Sequence, residues 1–229
     1  MFPLIVRRYL LLATLLLLAS CQTQPLVITD PESQRQALEN LNTFRVTGGL
    51  GVWTDAESIS TRIQWQQAGD AFDLLIQLPA GLSTVRVTQK DGLAVLVNGG
   101  AAPVTGNSAS ILLAQALKLS MAVPIEQMSQ WIKGLPGEQA QSVKYDAQGR
   151  LESMLYVDDA NTQWRAKVLK YSQFNDTVVP ATILATGGPY TIRLVLKEWH
   201  KDLTSADITG EQNGTASNSG SGRLKVPNR

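Results

Sequence analysis

Residues 59–98 read ISTRIQWQQAGDAFDLLIQLPAGLSTVRVTQKDGLAVLVN, and the period of this stretch decides the fold. Ile59, Thr61, Ile63 and Trp65 alternate with polar neighbours. Phe72, Leu74, Ile76 and Leu78 do the same, then Val85 and Val87, then Leu93, Val95 and Val97. A period of two places alternate side chains on one face of a strand. Ala68-Gly69-Asp70, Pro79-Ala80-Gly81 and Asp91-Gly92 separate the runs, and Asp-Gly is a strong hairpin marker. Short strands spaced by turns at roughly eight to twelve residues predict an antiparallel meander.

Upstream, Asp30-Pro31-Glu32 is a helix start, and Ala37, Leu38 and Leu41 give it one short apolar stripe ending near Asn42. Strand character begins at Phe44. Gly48-Gly49-Leu50-Gly51 lies inside that strand pattern and marks a bent or bulged strand, since no helix follows to cradle a phosphate. Downstream, Ser108 or Ser110 can cap a helix whose Ile111, Leu112, Leu113, Leu117 and Leu119 cover a wide face. A second helix from Pro124 to Lys133 carries Ile125, Met128, Trp131 and Ile132 and stops at Gly134-Leu135-Pro136-Gly137. Strands resume at Gln141–Tyr145, Leu151–Val157, around Trp164 to Val168, at Val178–Leu184 and at Tyr190–Trp199. The expectation is an α+β domain, mostly β, of about eleven strands and three helices.

The ends of the chain read differently. Arg7 and Arg8, an apolar run from Tyr9 to Leu18 and the small pair Ala19-Ser20 form an export signal over residues 1–20. The run is too short for a bilayer-spanning helix, which needs about 20 apolar residues. Cys21, the single cysteine, stands where the mature chain would begin, and Leu18-Ala19-Ser20-Cys21 is similar to a bacterial lipobox. That resemblance implies N-acyl and S-diacylglycerol modification of Cys21. One thiol excludes an internal disulfide, so the core alone must hold the fold. Residues 21–29 are then a tether, 30–200 the domain, and 201–229 a polar tail rich in Gly, Ser and Asn. Gln22 follows the cysteine where, in enteric-type bacteria, an aspartate tends to retain a lipoprotein in the inner membrane; resemblance to that sorting rule implies an outer-membrane anchor facing the periplasm.

Charge and motif exclude more than they assign. Without Arg7 and Arg8 the chain carries 18 basic against 19 acidic residues, a balance that argues against nucleic acid as a partner. His200 is the only histidine and sits at a strand end, so no acid–base pair or metal cluster is legible. Asp158-Asp159 precedes Ala160-Asn161 and reads as a turn, with no further metal ligand at a recognisable spacing. No enzyme, cofactor or metal is expected. What remains is binding: a large curved sheet with helices across it can enclose an apolar cavity. Trp65, Ile76, Leu113, Leu117, Met128 and Trp131 are candidates to line one, or are simply core.

Several segments together resemble the LolB family of outer-membrane lipoprotein receptors. They are Leu41-Asn42-Thr43-Phe44-Arg45-Val46-Thr47-Gly48, Ile63-Gln64-Trp65-Gln66-Gln67 and Leu74-Leu75-Ile76-Gln77-Leu78-Pro79. Gln130-Trp131-Ile132-Lys133-Gly134-Leu135-Pro136-Gly137, Asp146-Ala147-Gln148-Gly149-Arg150-Leu151 and Leu196-Lys197-Glu198-Trp199 complete the match. The resemblance implies an unclosed, strongly curved antiparallel β-barrel with its helices as a lid over a hydrophobic cavity. It implies a monomer that receives acylated lipoproteins from a LolA-type periplasmic chaperone and inserts them into outer-membrane lipid, without nucleotide or metal. It also implies an insertion loop with a protruding apolar residue at Pro79-Ala80-Gly81-Leu82. Leu82 is the expected equivalent, Ala80 being small, unless Leu82 opens the next strand and points inward. The alternative for the whole chain is a structural or assembly lipoprotein that binds a protein or cell-wall partner without an acyl cavity.

Overall fold

In a computed structural model of the chain, residues 30–79 and 83–201 are described. The signal, Cys21, the tether, Ala80, Gly81, Leu82 and nearly all of the polar tail lie outside them. Eleven strands form one sheet in the order β6-β5-β4-β3-β2-β1-β11-β10-β9-β8-β7. These are β1 (Thr43–Trp53), β2 (Ser58–Ala68), β3 (Ala71–Gln77), β4 (Thr84–Lys90), β5 (Leu93–Asn98) and β6 (Val104–Gly106). After two helices come β7 (Gln141–Tyr145), β8 (Leu151–Val157), β9 (Gln163–Phe174), β10 (Thr177–Gly187) and β11 (Tyr190–His200). The sheet is unclosed: β6 and β7 each have a partner on one side only. Every neighbour in it is also a neighbour in the chain, except β1 and β11. Among the described residues there are three helices: α1 (Pro31–Glu39), α2 (Ala109–Ala116) and α3 (Ile125–Lys133).

The chain divides into two compact units. One comprises residues 42–47, 62–123 and the end of β11; the other comprises residues 30–41, 48–61 and 124–197.

In the first unit, register places the alternating residues of β2, β3 and β4 on one face, whereas on β5 Ala94 and Leu96 fill that face and the expected Leu93, Val95 and Val97 fall on the other, Leu93 being 54% exposed. Ile63 stands opposite Ile76, Trp65 opposite Leu74, Leu74 opposite Val87 and Val87 opposite Leu96. All six are buried. α2 lies against β4, β5 and β6 and covers that face. Ser108 caps it through Oγ, which accepts from Ile111 N at 3.3 Å, and Ala109 N donates to Gln89 Oε1 at 3.2 Å.

α2 departs from the expected helix. It ends at Ala116, so Leu117 and Leu119 fall beyond its last turn. Lys118 takes a left-handed conformation (φ 55°), with Lys118 N donating to Gln115 O and Leu119 N to Ala114 O. This pair of bonds satisfies carbonyls at the helix end and terminates it, although the left-handed residue is not glycine. Its buried face is Ala109, Leu112, Leu113 and Ala114, whereas Ile111 is 50% exposed. Consecutive residues are separated by about 100° around a helix, so Ile111, Leu112 and Leu113 cannot all face the sheet.

In the second unit the buried face is read the same way. Met154 faces Ala166, Tyr156 faces Trp164, Ala166 faces Ala185, and Ile183 faces Leu194. α3 ends as its sequence indicates: Gly134 is left-handed (φ 84°), and Leu135 N donates to Gln130 O at 3.0 Å. α1 ends at Glu39, three residues before the expected Asn42, with Asn40 as its C-cap. Gln34 docks it by giving Nε2–H to Val178 O at 2.7 Å and accepting from Val178 N at 3.2 Å. Gly48, inside β1, is a site of close approach: a Cβ there would overlap the Val195 carbonyl. Gly48 thus serves strand-to-strand contact, one of the uses of glycine within a strand.

Candidate functional site

The candidate site is built on the buried faces of the two units, each taken by itself. In the first unit Trp65 and Ile76 point to the same face of β2 and β3, because Trp65 pairs with Leu74 and Ile76 lies two residues on. Trp65 stacks on Phe72 with ring centroids 4.8 Å apart. Its indole Nε1 donates to Gln67 Oε1 at 2.8 Å, and Gln67 Nε2 in turn donates to the Gly69 carbonyl at 2.6 Å. Burying an indole and an amide without partners would be costly, so this relay lets an aromatic anchor sit in an apolar face. Leu113 is buried on α2, and Leu117, the C-cap of that helix, is half-buried.

The ionic groups of these strands lie on the opposite face. Asp73, 3% exposed, accepts from Arg86 Nε at 2.9 Å on both oxygens and also from Nη2. The guanidinium is held more firmly protonated by its hydrogen bonds to Asp73, against the effect of its own partial burial. The apolar face therefore carries no ionised group from these two strands.

In the second unit Met128 and Trp131 are buried on α3. Trp131 meets Tyr156 edge to face at 6.2 Å. Its indole Nε1 is buried and has no hydrogen-bond partner among the described residues. That is unusual, because a buried N–H without a partner costs about 1–3 kcal/mol. Met154, Tyr156 and Trp164 belong to the same apolar face and were not among the candidates, although their alternation along β8 and β9 is legible.

The remaining candidates resolve simply. Asp158 is committed to its turn: Oδ1 accepts from Thr162 N at 2.7 Å and Oδ2 from Trp164 Nε1 at 3.0 Å. Among the described residues no group of three or more His, Cys, Asp or Glu could hold a metal ion. His200 is exposed at the end of β11. Pro79 is exposed in the β3–β4 loop, which Leu78 N closes onto Ser83 O at 3.1 Å. Ala80, Gly81 and Leu82, with Cys21, lie outside the described residues. No helix among the described residues is long and apolar enough to cross a membrane.

The fold has a counterpart among solved structures. A crystal structure of a LolA superfamily protein from Nitrosomonas europaea superposes with a TM-score of 0.50 over 80% of this chain and 98% of that one. At 12% identity it speaks to the fold alone. Sequence makes the narrower assignment: residues 42–199 match the family model described as outer membrane lipoprotein LolB, and the chain belongs to that family. The outer-membrane lipoprotein LolB of Klebsiella pneumoniae (strain 342) is 28% identical over 166 residues, 72% of this chain and 80% of the relative.

Proposed function

We propose that this chain is an outer-membrane lipoprotein, anchored through acylated Cys21 and facing the periplasm, that accepts acylated lipoproteins from a LolA-type chaperone and inserts them into the outer membrane. The observation that carries the reading is the family match over 42–199, joined in each unit to a largely apolar buried strand face with a helix against it. In this reading the helices form a lid, and Trp65, Ile76, Leu113, Leu117, Met128 and Trp131 accept the acyl chains. Hydrocarbon would replace hydrocarbon there, and no ionised group would need desolvating. The unpartnered Trp131 N–H suits the ester or amide carbonyl at the head of such a chain.

Neither nucleotide nor metal has a role. Transfer requires only that the cargo bind less tightly to the chaperone than to this chain, and less tightly here than in the bilayer, because a carrier shifts an equilibrium only by its differential affinity. The Pro79-Ala80-Gly81-Leu82 loop supplies the release step, with Leu82 as the apolar wedge that enters the membrane. A reconstituted transfer assay tests both halves. Leu82→Glu is expected to acquire cargo from the chaperone normally and to release it into vesicles at least tenfold more slowly, since about 1.4 kcal/mol on a step is tenfold. Unimpaired release removes Leu82 from the mechanism. Failure of the unmutated chain to acquire cargo overturns the handoff itself, and leaves the reading of an assembly lipoprotein without an acyl site.

A further inference from the structure

The exposed face of strands β7 to β11 carries charge of one sign. Register aligns Lys144, Ser153, Lys167, Leu184 and Arg193 in one row across five strands. The next row runs through Leu155, Arg165, Thr186 and Thr191. Lys170 stands opposite Thr182, and Lys197 lies four residues beyond Arg193 on the same side of β11. All six cations are exposed, and no aspartate or glutamate occupies a position on this face of the five strands. Among the described residues none of the six forms an ion pair, since the three pairs present involve Arg35, Arg86 and Arg150.

A second observation gives the face an apolar point. The register between β9 and β10 shifts where Lys170 pairs with Thr182 and Val168 with Ile183. Leu169 is the extra residue, and it is 49% exposed between Lys167 and Lys170. Bulges re-aim side chains, and here the result is a large aliphatic group presented to solvent within a basic field.

We propose that this face is a membrane-orienting surface that lies against anionic phospholipid headgroups, with Leu169 dipping among them. A laterally mobile array of phosphates suits it better than a protein partner. The row spans roughly 20 Å at the usual strand spacing, and its charged side chains are all of one sign, with no acidic residue on this face of the strands to pair with a basic partner residue. Basic side chains near an anionic leaflet each contribute about fivefold to the partition, and the effect decays within a Debye length. Lying on the membrane by this face would fix which side of the sheet the anchored domain turns toward it. The inference goes beyond cargo transfer and needs neither chaperone nor cargo.

Cys21 is the single native cysteine, so Thr186→Cys gives one further attachment point at the centre of the face. The full chain carrying a polarity-sensitive fluorophore there is reconstituted into phosphatidylcholine vesicles, alone or mixed with phosphatidylglycerol, with headgroup-linked quencher lipid in each. Quenching is expected to be several-fold greater in the anionic vesicles and to fall to the neutral level at high salt. Lys167→Gln, Lys170→Gln and Arg193→Gln together should erase the difference, at about fivefold per cation. Leu169→Ala should lower quenching but preserve its salt dependence. Equal quenching in the two vesicle types, insensitivity to salt, or full quenching in the triple variant would overturn the proposal. So would burial of the label only on adding an acidic protein. The salt titration uses the chain without charge substitutions, so the proposal stays falsifiable if the triple variant folds poorly. Failure of the chain to float even with neutral vesicles would count against the anchor and not against this face.

Discussion

At the scale of single residues, the tryptophans separate what pattern can say from what packing decides. Trp65, Trp131 and Trp164 are all fully buried, and their alternation or helical spacing indicates burial from sequence alone. Their polar ends are a different matter. Trp65 and Trp164 find partners in Gln67 and Asp158, both close in sequence, whereas Trp131 finds none among the described residues. Trp131→Phe removes that N–H while keeping an aromatic ring. It is expected to weaken an ester-bearing acyl ligand about fivefold relative to a matched plain hydrocarbon, the worth of one hydrogen bond of about 1 kcal/mol. Fluorescent-ligand titration of both ligands checks this, and an equal loss for the two would mean that the N–H recognises nothing. Asp158 shows the converse. Its neighbour Asp159 makes the pair look like a metal site in one dimension, but its two oxygens are already engaged within its own hairpin.

At the scale of elements, boundaries that rest on strong local chemistry are the ones legible in advance. Asp30 caps α1, accepting from Glu32 N and Ser33 N, and Gly134 ends α3 in the left-handed conformation that glycine adopts freely. α2 was overextended because its stop signal is a lysine. Lys118 takes the left-handed position that glycine or asparagine usually fills, and no propensity rule would place it there. The β7–β8 turn makes a pH prediction. Partial burial works against ionisation of Asp146. The donations from Arg150 N at 3.0 Å, Arg150 Nε at 2.7 Å and Gln148 N at 2.9 Å outweigh it and leave the carboxyl below its ordinary range. Asp30 is also lowered, chiefly by the Ser33 hydroxyl and then by Glu32 N. A folded-state pKa below the unfolded value means stability that is present above about pH 3.9 and lost as pH falls through the lower folded value. Acid should therefore loosen the α1 start and this turn, which adjoin where Gly149 meets Pro31. Asp146→Asn is expected to flatten the acid limb of stability measured by urea unfolding between about pH 2 and 5. An unchanged acid limb would mean that the turn contributes nothing to it.

At the scale of the whole molecule, the sheet is a meander of sequence neighbours joined at one non-sequential seam, β1 to β11. The chain must bring residues near 48 and 195 together before that seam forms, and such long loops carry the larger closure entropy. Gly48 lies at this seam, where any Cβ would strike the backbone of β11, while a Cβ at Gly49 comes no nearer than 3.7 Å to the Thr61 carbonyl. Gly48→Ala is expected to cost about 3 kcal/mol in urea unfolding and Gly49→Ala under 1 kcal/mol, because the one clash involves backbone that cannot step aside. Equal effects would show that the seam tolerates the extra carbon.

The amino-acid sequence by itself determined the strand meander, the three helices and the apolar faces of β2, β3, β4 and α3, and its motifs carried the family resemblance. Those features are written locally, in periods of two and 3.6 and in turn residues whose conformational demands do not depend on distant contacts. Tertiary structure alone decided the strand order across the seam, the burial of Leu112 rather than Ile111, and the missing partner of Trp131. It also decided that Lys144, Lys167 and Arg193, far apart in the chain, would share one row of an exposed face. Each of these depends on contacts between segments distant in the chain. For the strand residues, a register shift of one would turn the side chains to the other face, so pairing between distant segments, and not local propensity, settles them.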